Sequence, residues 1–210
     1  MEKDIIVIDD FYKEPNKVRN LALNVHGWID ENLQGEKKPS IETEKNYYTN
    51  EIINKFESIL GFNIDVNPKK MGFGVFAFYP EYSRVDQTTH FDDTDWSGII
   101  YLVPDNLCKG GLSLYRHKPT GLTGPPNINE LQELGYSSMK SWYEDYLNWK
   151  LSPEDWEETM HLDMKYNRLV LFKSGALFHR ASSGFGDSPS NGRLTQRFFF
   201  NRKVGVLDAK

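Results

Sequence analysis

From residue 71 to residue 117 the apolar pattern is extended rather than helical, and no helical period intervenes between its segments. Residues 72–79, 88–92, 98–103 and 111–116 read as short strands, with turn chemistry at Pro80, Pro104-Asp105-Asn106 and Gly110-Gly111. Strands that follow one another without crossover helices pair antiparallel. Extended structure resumes over 168–172, 176–179 and 193–201. The fold class predicted from this order is mainly β with flanking helices: a cupin-like jelly roll of two sheets, with N-terminal helices and a helical insertion.

The flanks are read from their own periods. Ile5-Ile6-Val7-Ile8 is a short buried strand; Pro15 suits a first helical turn, and Val18, Leu21, Ala22 and Val25 give residues 15–25 one apolar helical face. Residues 27–40 are polar, contain Gly35 and Pro39, and read as a loop. A second helix carries Ile52, Ile53, Phe56, Ile59 and Leu60 and closes at Gly61. Between the two strand blocks, Gly121, Gly124, Pro125 and Pro126 make a loop and residues 138–149 an amphipathic helix. Ser152-Pro153-Glu154-Asp155 has the cap, proline and first-turn acids of another helix start. The 210 residues are therefore expected to form one domain. It comprises an N-terminal part over 1–70, a jelly-roll core over 71–117 and 163–203, and an insertion over 118–162. Trp142, Tyr143, Tyr146, Trp149 and Trp156 of the insertion either form a lid over a substrate site or bury themselves against the sheet.

Composition closes off several classes of partner. With 25 basic and 30 acidic residues and a net charge of −5, the chain has no basic footprint for nucleic acid. The lone Cys108 forms no internal bridge, and no apolar run reaches the length of a membrane span or a signal-peptide core. A cytoplasmic protein with no membrane partner is expected.

His90-Phe91-Asp92 lies in one of the predicted strands, so His90 and Asp92 project from one face and Phe91 from the other. One strand end can thus supply two metal ligands. The third must come from a strand distant in sequence, and His179, 87 positions beyond Asp92, ends the apolar run 176–178. Two imidazoles and a carboxylate on one face of a metal form the facial triad suited to non-heme Fe(II), with positions left open for a cosubstrate and O2. His161-Leu162-Asp163 repeats the spacing but stands only 16 residues before His179, which leaves little room for separate ligands; the first copy is preferred. Taken alone, either pair reads as a surface ion pair and His179 as an interior histidine. His26 and His117 have no ligand partner at such spacing.

A 2-oxoglutarate molecule chelating that iron would leave its C5 carboxylate inside the protein, where it needs a cation. Arginine suits the task because its planar fork donates two parallel hydrogen bonds and stays protonated when buried. Arg193, Thr195 and Arg197 alternate onto one strand face, beginning 14 residues after His179. Arg193 is the first choice of anchor, with Thr195 donating a further bond and Arg197 as the alternative; both arginines could instead pair with surface acids. Tyr79 offers a phenol either to the cosubstrate or to the core, and Asp93 and Asp95 beside the ligands could attract a cationic substrate.

These residues resemble the His-x-Asp, distal His and Arg-x-Ser/Thr pattern of the Fe(II)/2-oxoglutarate-dependent dioxygenases, most nearly the prolyl-4-hydroxylase-like branch. Gly110-Gly111-Leu112-Ser113-Leu114-Tyr115-Arg116-His117-Lys118-Pro119-Thr120-Gly121 and Tyr166-Asn167-Arg168-Leu169-Val170-Leu171-Phe172 are similar to a little-characterised bacterial and viral family within that superfamily. Ile8-Asp9-Asp10-Phe11, followed by a helix, fits it too. The likeness covers most of the chain and is least in 27–70 and the insertion. It implies a double-stranded β-helix core, iron held by His90, Asp92 and His179, and 2-oxoglutarate held by Arg193 with help from Thr195. It also implies hydroxylation of an unactivated C–H bond in an amino acid, a peptide or protein residue, or a small metabolite, with succinate and CO2 released. Related halogenases carry a small residue where Asp92 stands, so hydroxylation is favoured. Segment 118–162 departs from prolyl hydroxylases proper and argues against peptide-prolyl specificity. Two rivals are a non-catalytic jelly-roll binding module and a cupin-type metal dioxygenase with no use for 2-oxoglutarate.

Overall fold

In a computed structural model describing residues 3–30, 40–83 and 88–204, the chain opens with β1 (Ile5–Ile8), α1 (Pro15–Asn24), β2 (Trp28–Ile29) and β3 (Ile41–Thr43). Next come α2 (Asn50–Leu60), β4 (Ile64–Asp65), α3 (Pro68–Met71), β5 (Phe73–Tyr79), β6 (Trp96–Tyr101) and β7 (Gly111–His117). The insertion holds α4 (Ile128–Glu133) and α5 (Met139–Trp149), and β8 (Trp156–Asp163), β9 (Leu169–Phe172), β10 (His179–Ala181) and β11 (Arg193–Arg202) complete the order. Gly35 and Pro39, which supported the predicted loop, lie outside the described residues.

One antiparallel sheet runs β1-β9-β6-β11-β5-β3-β2, with β4 also pairing β11, and a second runs β10-β7-β8. A single antiparallel bridge between His90 and His179 joins the 88–92 segment to the edge of the second sheet. The chain therefore passes between sheets in the order β5, 88–92, β6, then β7 and β8 together, then β9, β10 and β11. That alternation is a jelly roll, and it brings strands far apart in sequence side by side.

The two faces of the larger sheet do different work. On β11, Leu194, Gln196 and Phe198 point toward the helices, where the fully buried Phe56 of α2 meets the rings of Phe73, Phe198 and Phe200 at 5.1–6.0 Å. Gly98 permits that approach, since a Cβ there would press on Phe56 and Leu171. Gly61 ends α2 with φ 77°, a left-handed conformation that glycine adopts without strain, and its N–H donates to the Glu57 carbonyl. Arg193, Thr195 and Arg197 point to the other face, toward the smaller sheet. Register places Tyr79, Ala77 and Val75 of β5 beside them, and Tyr101 and Ile99 of β6 beside Thr195 and Arg197.

Several elements differ from those read in the sequence. Ser152–Asp155 starts no long helix: one turn of 3-10 helix over Pro153–Asp155 leads directly into strand β8. Most of β8 is exposed, with acids at Glu157 and Glu158, so it carries no buried alternation; pairing with β7 from Gly111–Asp163 to His117–Trp156 makes it a strand. Helix α4 went unread although Asn127 and Glu130 form a capping box at its start. His179 begins a strand rather than ending one, and Leu21 is exposed on α1.

The insertion aromatics are buried against the outer face of the smaller sheet. Trp142, Tyr146 and Trp156 pack with Leu122 and Leu131 onto Tyr115 and Phe178 as a second hydrophobic cluster, while Tyr143 stays half exposed. His117 belongs to this packing, its ring stacked on Trp149 at 4.1 Å. No helix among the described residues is long and apolar enough to cross a membrane.

Candidate metal centre

His90, Asp92 and His179 converge between the sheets, with one potential ligand atom from each lying within 4.8 Å of the others. Backbone pairing does the assembling: the His90 N–H donates to the His179 carbonyl at 3.0 Å, and the His179 N–H donates back at 2.7 Å. Ring centroids then sit 4.4 Å apart. The Nε2 atoms of His90 and His179 lie 3.8 and 3.7 Å from Asp92 Oδ1.

Tautomer and charge suit a cation at that point. Nδ1 of His90 lies 3.2 Å from the Thr88 carbonyl and Nδ1 of His179 lies 2.9 Å from the Leu177 carbonyl. Each contact satisfies a proton on Nδ1 and leaves a lone pair on Nε2. Burial, then the neighbouring His90, hold the His179 imidazole down to about 4 against the pull of Asp92, so it is neutral at pH 7. Burial would raise the Asp92 carboxyl, but His179, His90 and the Ser97 hydroxyl together outweigh it and hold it below the usual carboxylate range. Ser97 donates to Asp92 Oδ2 at 2.6 Å and has the Ser174 hydroxyl 2.8 Å away, which fixes the carboxylate plane. Two imidazole lone pairs and a carboxylate oxygen therefore face one point. This trio could bind a metal ion.

The predicted anchor residues separate into two groups. Arg193 is 1% exposed; its Nη1 donates to the Ser182 carbonyl at 2.5 Å, its Nη2 to the Gly111 carbonyl at 3.0 Å, and its Nε has no partner. No carboxylate pairs with it among the described residues. Arg197 instead pairs with Glu42 at 2.5 Å and donates to the Tyr79 hydroxyl at 2.8 Å. Thr195 leans toward the Ala77 carbonyl at a weak 3.4 Å.

The chain belongs to DUF6445, a family of unknown function. The family's model matches residues 1–200, which include every residue of the trio and both arginines. Among solved structures, that of IDO from Bacillus thuringiensis aligns with 96% of this DUF6445 chain and 92% of its own at 11% identity and a TM-score of 0.48. That of "a putative alpha-ketoglutarate dependent 2,4-D dioxygenase from Burkholderia xenovorans" covers 92% of this chain and 91% of its own at 10% identity and a TM-score of 0.35. Likenesses this distant carry no activity across. No curated protein matches the chain.

Sequence reading missed three residues of this DUF6445 site. Ser97 and Ser174 orient Asp92, and Tyr101 is fully buried with an unpartnered hydroxyl beside Thr195 in the register. Burial pushes that phenol up to about 12, with Arg193 pulling the other way. Ser97 and Tyr101 share one face of β6, but what that face meets comes from segments distant in sequence. The second His-x-Asp copy is elsewhere: His161 on β8 contacts Ser113 Oγ at 2.7 Å, and Asp163 is 83% exposed. Asp93 and Asp95 line an open cleft of about 460 Å³ beside Asp92, but Lys173 and Arg202 line it too, so its charge is mixed.

Proposed function

We propose that this DUF6445 protein is a single-domain, cytoplasmic, non-heme Fe(II)- and 2-oxoglutarate-dependent oxygenase of the prolyl-4-hydroxylase-like branch. It hydroxylates an unactivated C–H bond of an amino acid, a peptide or protein residue, or a small metabolite. The observation that carries the reading is Arg193: a buried guanidinium without a carboxylate partner, facing the same inter-sheet space as the His90, Asp92 and His179 trio. An unpaired buried cation is costly. A dicarboxylate with one end at the trio and the other at Arg193 would relieve that cost, whereas a cupin-type dioxygenase or a non-catalytic module has no need of it.

The roles follow from the contacts. His90 and His179 would hold iron through Nε2, each kept in the required tautomer by its carbonyl contact, and Asp92 through Oδ1 while Ser97 holds Oδ2. When bound, the iron supplies O2 activation and C–H oxidation coupled to 2-oxoglutarate decarboxylation. Arg193 would take the C5 carboxylate, with the free Tyr101 hydroxyl and Thr195 as further donors. His90 is the exposed member, 42% against 16% for Asp92 and 5% for His179, so substrate would approach over its flank while the other two stay dry. Asp92 fills the position that must be vacant for a halide, which favours hydroxylation.

Anaerobic titration with Fe(II) and then 2-oxoglutarate tests the reading. A weak visible charge-transfer band and substrate-dependent succinate release in a compound screen are expected. Iron binding without that band would remove 2-oxoglutarate from the proposal, and absence of iron binding would remove the oxygenase.

A further inference from the structure

The ligand-bearing segments have little strand pairing of their own. Residues 88–92 join the smaller sheet through the His90–His179 bridge, and β10 beyond it is only three residues long. The Asp92 N–H donates to the Ser174 carbonyl at 3.0 Å, and side-chain packing behind these segments adds to such backbone bonds in holding the three ligands in register. The residues alternating with the ligands point away from the metal side: Phe91 stands between His90 and Asp92, and Phe178 precedes His179. Both rings enter the insertion's aromatic cluster.

Tyr146 meets both of them. Its ring lies 5.2 Å from Phe91 and stacks on Phe178 at 5.8 Å and 11°. Its hydroxyl donates to the Thr89 carbonyl at 3.2 Å, one residue before His90. Trp142 backs it, stacked at 5.4 Å, and Tyr146 is 3% exposed. One side chain thus touches a neighbour of each of the three ligands without touching a ligand.

We propose that Tyr146 is a positioning residue for the metal centre, through which the insertion clamps the 88–92 segment and the start of β10 from the outer face of the sheet. The inference rests on the metal reading above and extends it to a part of the chain that contributes no ligand. Partners hydrogen-bonded directly to metal ligands typically change metal affinity by about 10–100-fold when removed, and Tyr146, one residue further out, is expected to act more weakly. Coupling of this kind is reciprocal, so a bound metal must also stabilise the insertion helix.

Full-length protein titrated anaerobically with Co(II), read by its visible absorption, provides the test. Leu147, next in sequence and 39% exposed, gives the control Leu147→Ala, expected to bind as wild type does. Tyr146→Phe keeps the ring and loses the hydroxyl bond, and is expected to weaken Co(II) severalfold. Tyr146→Leu loses the stacking as well, and is expected to weaken it further, by up to about 10-fold, with a changed Co(II) spectrum. In wild type, Co(II) should slow amide hydrogen exchange across residues 139–149. Equal affinity and spectrum in both Tyr146 variants, with α5 exchange indifferent to Co(II), would reduce Tyr146 to packing while leaving the metal site standing. Should wild type bind no Co(II), the metal reading fails and this inference fails with it. If Tyr146→Leu does not fold, Tyr146→Phe and the wild-type exchange measurement decide the matter.

Discussion

At the scale of single residues, two arginines four apart on one strand face have opposite tasks. Arg197 already has the Glu42 carboxylate, whereas Arg193 has only carbonyl oxygens. Losing one partner of a buried ion pair costs roughly 3–5 kcal/mol. Arg193→Leu is therefore expected to weaken 2-oxoglutarate binding by at least about 100-fold in calorimetry, with metal binding retained. Arg197→Leu should leave the cosubstrate in place and lower stability by about 2 kcal/mol in urea melts, because the pair with Glu42 is only partly buried. The reverse pattern would make Arg197 the anchor. His179 sets a pH dependence in metal-free protein. Burial first, then His90, keep its folded value at about 4, below the roughly 6.5 of an unfolded histidine. Between those values the unfolded chain takes up a proton that the folded one refuses, so stability falls from about pH 6.5 to about pH 4 and no further on this account. The gap between the urea midpoints of wild type and His179→Gln should stay constant above about pH 6.5, and wild type should lose stability relative to the variant as pH falls toward about 4; curves parallel over the whole range would contradict the assignment.

At the scale of elements, the pairing of β7 with β8 matters more than its sequence suggests. Gly111 opens β7 against Asp163, and a Cβ there would run into the Leu162 carbonyl oxygen, a backbone atom that cannot rotate away. The Gly111 carbonyl also accepts from Arg193, so one glycine sets both the start of the β7–β8 pairing and the floor of the anchor. Gly111→Ala is expected to cost about 2–3 kcal/mol from overpacking. It should also weaken 2-oxoglutarate binding, a joint loss that a mutation acting on the strand pair alone would not produce. Helices α4 and α5 were legible to different degrees. Ser138 and the period of 139–149 announced α5, whereas α4 has six residues and little beyond its capping box to mark it.

For the molecule as a whole, the jelly roll stores its site in contacts of long range. The trio draws on the 88–92 segment and β10, and the anchor on β11, β7 and the residues just past β10. A metal that binds this arrangement and not the unfolded chain adds its binding energy to stability. Co(II) at a hundredfold excess over its Kd should contribute about 2.7 kcal/mol, roughly 5–10 °C in Tm for a chain of this size. Chelation should reverse the shift and Asp92→Ala should abolish it. A Tm indifferent to Co(II) would count against the site.

The sequence by itself determined what local period and chemistry can encode. The extended pattern from residue 71, the common face of His90 and Asp92, and the common face of Arg193, Thr195 and Arg197 all follow from alternation along a strand. The tertiary structure alone decided between equivalents. It brought His90-Phe91-Asp92 beside His179 and left His161-Leu162-Asp163 on an exposed edge; it gave Arg197 a carboxylate and Arg193 none. It also made 156–163 a strand and turned Tyr146 toward Phe91 and Phe178. Those choices depend on which strands pair across the sheets and on which buried groups find partners. A local pattern carries neither kind of information, because pairing and desolvation are properties of the assembled core.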